Sequence, residues 1–268
     1  VQRVDLVVAT DLDGAVRCVA ERLVAVCASA VRTRGRCRVA FSGGGTPRDL
    51  YHLLASPLWR ARTDWEHVDA YLSDERYVAP NDPRANYRML REHLLDHVLI
   101  PVRNQHPVPT SGGDIDTDAA RYEATIMAEF AEERTAASEP DRRTIPRFDL
   151  ILLGLGPDGH TGSLFPGSPA ITMQDRLVTA VEPPAAPTPR ITFTPKLINA
   201  ADAVVVLTAG ALKAGALARM LAADGDPAET PARAIRPTHG SFTIVTDLEA
   251  CERLDTLPLR DGIVTTRI

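Results

Sequence analysis

The chain has 268 residues, of which 44 % are hydrophobic and 24 % charged, and its formal net charge is −5. That length and apolar content suffice for a substantial core, and the negative balance favours solubility. It argues against general binding to nucleic acid or to anionic membranes, while leaving room for a local basic pocket.

The opening VQRVDLVVATDLDG has no basic segment followed by an apolar stretch, so it does not read as a signal peptide. No apolar run approaches the ~20 residues of a membrane helix. Along the chain, VDLVVA near the start predicts a strand, and helical spacing of apolar residues over 13–34 predicts a helix. Further strands are predicted at 36–42, 68–73, 148–156, 201–210 and 241–247, most of them continuous apolar runs that suit burial on both faces. Helices are predicted between them at 49–55, 86–98, 116–134 and 212–222, and surface loops at 132–147 and 182–189. Strands alternating with helices imply an α/β fold with a mostly parallel sheet and helices on both faces. No repeat or long linker divides residues 1–268, so one domain is expected. Cys18, Cys27, Cys37 and Cys251 form no CxxC pair and no zinc-ligand spacing, so a reducing cytoplasm is the simplest reading.

Ligands in an open α/β sheet bind beyond the carboxyl ends of the strands. Three strand exits are rich in glycine and charge: SGGGTP after 36–42, SDERYV after 68–73 and GLGPDGHTGSLFPG after 148–156. In the first, Ser42, Gly43, Gly44, Gly45 and Thr46 precede a helix. Glycines let the backbone approach a ligand closely, and the N–H groups of a helix start suit an anion. A tight turn capped by Ser42 or Thr46 is the plainer alternative. The pattern is not GxxxxGK[ST], so it is not a nucleotide P-loop.

GLGPDG at 154–159 matches GxGxxG, and Glu182 lies near where a dinucleotide fold places its ribose acid. Prolines at 157, 166 and 169 and glycines at 162 and 167 prevent the helix that motif must open. What remains is His160, accessible on a glycine-rich loop, with Asp158 close enough to orient its ring: a base and its orienter. Asp74, Glu75 and Arg76 bring two carboxylates and a guanidinium to the second exit, with a solvated charged loop whose members pair with each other as the plainer alternative, and Arg190 and Lys213 are two further cations able to hold a phosphate. His93 and His97 have the spacing of a metal pair but no third ligand, and a surface helix is the better reading.

Four stretches together resemble a known family. FSGGGTPRDLY at 41–51, SDERYVAPNDPRANYRML at 73–90, LGLGPDGHTGSLFPGS at 153–168 and PRITFTPKLINAA at 189–201 are similar to the 6-phosphogluconolactonases. These belong with the glucosamine-6-phosphate deaminases in a larger group of Rossmann-like α/β architecture. The likeness runs through nearly the whole chain, and GPDGHTxSLFPG is its most specific part.

The resemblance implies hydrolysis of 6-phospho-D-glucono-1,5-lactone to 6-phosphogluconate in the oxidative pentose phosphate pathway. His160 would be the general base, with Asp158 beside it and Asp74 and Arg76 in the site. The glycine loop would contact substrate, and Arg190 and Lys213 would serve the phosphate. No cofactor or metal is implied. The expected partner is a phosphorylated sugar lactone in the cytoplasm, with no nucleic acid or membrane, and a monomer is compatible. A glucosamine-6-phosphate deaminase/isomerase is the nearest rival, but that group typically reads DGHIAFNEP where this chain reads DGHTGSLFP. A non-catalytic sugar-phosphate sensor is the rival of a different class, and the intact Asp158 and His160 argue against it.

Overall fold

The computed structural model describes residues 3–131, 145–184, 188–256 and 258–268. In chain order the strands and α-helices are β1 (Val4–Ala9), α1 (Leu12–Arg34), β2 (Cys37–Phe41), α2 (Gly45–Ala55), α3 (Pro57–Arg60), β3 (Val68–Leu72), β4 (Asp74–Arg76), α4 (Asn86–His93) and β5 (Gln105–His106). They continue with α5 (Ile115–Ala131), β6 (Leu150–Leu153), β7 (Val178–Val181), β8 (Arg190–Phe193), α6 (Pro195–Ile198), β9 (Ala203–Leu207), α7 (Ala214–Leu221), β10 (Ser241–Asp247) and β11 (Ile263–Arg267).

Eight strands form one sheet in the order β11-β1-β10-β9-β6-β2-β3-β5. Every pairing in it is parallel. The apolar runs explain why: β2, β3, β6 and β9 are buried at every position, as strands covered on both faces must be. The sheet bears out the expected α/β fold. A second, antiparallel sheet of order β4-β8-β7 stands at its carboxyl end, because β4 follows β3 after only Ser73.

The long helix α1 shows how local chemistry sets its ends. Asp11 is the N-cap and accepts the N–H of Gly14 at 2.8 Å, while the N–H of Gly35 returns to Val31 O at the other end. Ala15, Val16, Val19, Ala20, Leu23, Cys27 and Ala30 form its buried stripe. Asp11→Ala is expected to lower stability by about 1 kcal/mol, read as an earlier midpoint in urea unfolding with an unchanged slope.

Two predicted helices are cut short. The stretch 86–98 is helical only to His93, since Leu94 leaves helical geometry (φ −137°) and Leu95–His97 forms a 3-10 turn. His93 therefore does not share a helical face with His97. Its Nδ1 meets His52 Nε2 of α2 at 2.7 Å, while His97 Nε2 bonds Glu92 O. Lys213 closes a 3-10 turn (Ala211–Lys213) rather than lying inside α7. The expected helical residues beyond Ala131 and most of the loop 132–147 lie outside the described residues, as do positions 185–187 of the loop 182–189.

Candidate active site

The cleft opens where the strand order reverses. From β2 the chain moves outward to β3, whereas from β6 it proceeds by way of β7 and β8 to β9 on the other side. Tyrosine hydroxyls hold the chain where it leaves β2 and β3. Tyr51 Oη accepts from Ser42 N and donates to Ser42 O (3.1 and 2.6 Å), and Tyr122 Oη does the same for Leu72 (3.0 and 3.0 Å).

The glycine loop follows. Gly44, at φ 110°, is the N-cap of α2 and has no side chain to fill that role. Ser42 Oγ donates instead to Gly43 O, so neither expected capping residue caps the helix. Any Cβ at Gly43 would overlap the Asn86 side chain, which packs directly against the loop.

Asp74 and Arg76 alternate with Glu75 along β4. Asp74 is buried, and its Oδ2 accepts from Ser163 Oγ at 2.7 Å while its backbone oxygen accepts from Asn86 Nδ2 at 2.9 Å. Arg76 Nη1 donates to Arg84 O, and its Nε is buried with no hydrogen-bond partner among the described residues. Arg190 stands opposite Arg76 in the β4–β8 register. Burial, then the neighbouring Arg76 charge, holds the Arg190 pKa below its ordinary value. Two guanidinium groups opposed across one strand pair are a ready counterpart for an anion.

The third exit folds back on itself. Gly156 N donates to His160 O at 2.8 Å and Gly159 N to Gly156 O at 3.0 Å, and Arg219 Nη2 ties Pro157 O to α7 at 3.1 Å. His160 Nδ1 lies 2.6 Å from Asp158 Oδ1, which also accepts the His160 backbone N–H at 3.1 Å. An ionised carboxylate only accepts, so Nδ1 carries the proton, and it is the neutral ring that presents a lone pair on Nε2. Burial works against the Asp158 charge, yet the His160 N–H groups outweigh it and lower the carboxyl pKa. The Phe165 ring flanks the imidazole, with centroids 5.0 Å apart.

Lys213 follows β9. Its turn is held by buried Asp247, whose carboxylate accepts the N–H groups of Gly210 and Ala250. Burial lowers the Lys213 pKa, and the charge of Asp158 opposes that shift.

Ser42, Gly43, Gly44, Gly45, Thr46, Asp74, Arg76, His160, Arg190 and Lys213 line one cleft of about 290 Å³. Asp158 reaches it through His160. Sequence reasoning did not single out Asn86, Ser163, Phe165 and Thr208, which line the same cleft. The first three lie inside the stretches 73–90 and 153–168, so the signal was present there without a role attached to it.

Residues 10–244 match the family model described as glucosamine-6-phosphate isomerases/6-phosphogluconolactonase. The chain belongs to that family. Among relatives of this glucosamine-6-phosphate isomerase/6-phosphogluconolactonase family, the 6-phosphogluconolactonase of a Synechocystis species is 42 % identical over 91 % of this chain and 93 % of its own. That of Mycobacterium tuberculosis is 37 % identical, covering 83 % and 87 %. The solved 6-phosphogluconolactonase of Trypanosoma cruzi superposes with a TM-score of 0.81 at 29 % identity, covering 94 % of this chain and 97 % of that one. Another structure in the family's fold, a monomeric glucosamine-6-phosphate deaminase, superposes at 0.73 with 17 % identity, a likeness of fold alone. Among the described residues no helix is long and apolar enough to cross a membrane.

Proposed function

We propose that this chain hydrolyses 6-phospho-D-glucono-1,5-lactone to 6-phosphogluconate, with His160 as general base. The observation that carries the reading is the 2.6 Å contact between His160 Nδ1 and Asp158, set in a cleft that Arg76, Arg190 and Lys213 also line. A δ-lactone is an activated ester, so hydrolysis needs a base for water and donors for the developing oxyanion. His160 Nε2 takes a proton from water as its oxygen attacks C1. The carbonyl electrons move to oxygen, where Arg76 or the N–H groups of the glycine loop stabilise the charge. The carbonyl re-forms, the C1–O5 bond breaks, and His160 returns the proton to O5. Asp158 steadies the imidazolium in between.

The test follows acid release from 6-phosphogluconolactone above the spontaneous rate, beside an assay for ammonia release from glucosamine 6-phosphate. Acid release alone is the expected result, and ammonia release without it would replace the reading with the deaminase. The Ser163-Leu164-Phe165-Pro166 run after His160 favours the lactonase.

The phosphate reading assigns Arg190 and Lys213 to the end of the substrate that does not react. A group that binds ground and transition states alike acts on KM. Arg190→Ala or Lys213→Ala is expected to raise KM by roughly ten- to a hundredfold, the equivalent of one charge-assisted bond, with a smaller loss in kcat. The deciding comparison uses the unphosphorylated lactone. If the preference for the phosphorylated substrate survives both substitutions, neither residue is the clamp.

A further inference from the structure

Glu75 takes no part in the chemistry above, yet it lies between two residues that line the cleft. Successive side chains on a strand point to opposite faces, and while Asp74 and Arg76 line the cleft, the Glu75 side chain is buried at 2 % exposure. Its Oε1 accepts the backbone N–H of Arg76 and of Asn86, both at 2.6 Å, and its Oε2 accepts that of Tyr87 at 2.7 Å. Asn86 and Tyr87 are the first two residues of α4, whose own N-cap, Ala85, has no side-chain acceptor. Glu75 therefore caps α4 from another element, its carboxyl oxygens filling orphan donors of the first turn.

Burial pushes the Glu75 carboxyl up to about 7, against those three N–H bonds. A buried carboxylate bonded to backbone rather than to a cation is costly, and here it ties three cleft walls together. It holds the Arg76 main chain directly. It also fixes the start of α4, and with it the Asn86 side chain that donates to Asp74 O and packs under Gly43.

We infer that Glu75 is a positioning residue: by capping α4 from β4 it sets where the Arg76 guanidinium and the Asn86 amide stand in the cleft. This rests on the lactonase reading of that cleft.

The test is Glu75→Gln, which keeps the shape but turns one acceptor into an NH₂ group facing an N–H. Hydrogen exchange at the Asn86 and Tyr87 amides is expected to quicken at least about tenfold, with the melting temperature within a few degrees of the parent. On the lactone, kcat/KM is expected to fall roughly ten- to a hundredfold. In an Arg76→Ala background the same change should cost under about threefold, because residues acting through one another are not additive. Parent-like exchange at both amides, or equal fold losses in both backgrounds, overturns the inference. If Glu75→Gln does not fold, Glu75→Asp, which keeps both acceptors on a shorter arm, is read by the same exchange and the same cycle. A parent without lactone hydrolysis above the spontaneous rate would sink the functional reading, and the exchange result would still decide the capping.

Discussion

His160→Ala is expected to cut turnover on 6-phosphogluconolactone by roughly 10²–10⁴-fold, the usual worth of a positioned general base. That is ~3–5 kcal/mol of transition-state stabilisation. The fold should survive, because the side chain is 32 % exposed at the cleft and, among the described residues, its ring bonds to Asp158 on the same loop. KM should change little, since in the proposed mechanism the imidazole acts on water and the cations hold the phosphate. Turnover must be measured above spontaneous hydrolysis, in parallel with thermal unfolding. A variant within threefold of the parent would remove His160 from the mechanism.

The second large effect comes from a residue with no chemistry of its own. A Cβ at Gly156 would overlap the His160 ring and lie 2.6 Å from Asp158 Oδ1. The backbone has little freedom to retreat, because Gly156 N is bonded to His160 O and Gly156 O to Gly159 N. The ring must swing away and give up its 2.6 Å contact with Asp158. Gly156→Ala is therefore expected to lower kcat by about 10²-fold or more, with near-parent affinity for 6-phosphogluconate, since misplacing a catalytic group by about 1 Å costs on that order. Calorimetry with 6-phosphogluconate separates this from a general collapse of the cleft. A variant with parent-like kcat would show that the Asp158–His160 geometry is not needed for turnover.

Both predictions rest on a loop whose importance was legible in the sequence. GLGPDGHTGSLFPG has too many prolines and glycines for a helix, so its histidine had to stand on an irregular loop past a buried strand. The six apolar runs were equally legible. A strand covered on both faces must be apolar throughout, and that is a property of consecutive residues. The short strands were not. In β4, β7 and β8 three or four residues are held as strands by antiparallel pairing, β7 with the strand that follows it and β4 with β8 far along the chain. The edge strand β11 (IVTTR) is mostly exposed and lacks the apolar run that marked the others.

By itself, then, the sequence determined what is local: the buried strands, the apolar stripe of α1, and three strand exits loaded with glycine and charge. Tertiary structure alone decided what depends on register. Arg76 faces Arg190 because β4 pairs with β8, and Ser163 reaches Asp74 although 89 positions separate them. Glu75 caps α4 across the intervening turn, and His93 meets His52 rather than His97 because the helix ends between the two. Periodicity and burial are written in neighbouring residues. Which distant groups meet is fixed only when the sheet closes its register and a one-residue slip would turn every side chain to the other face.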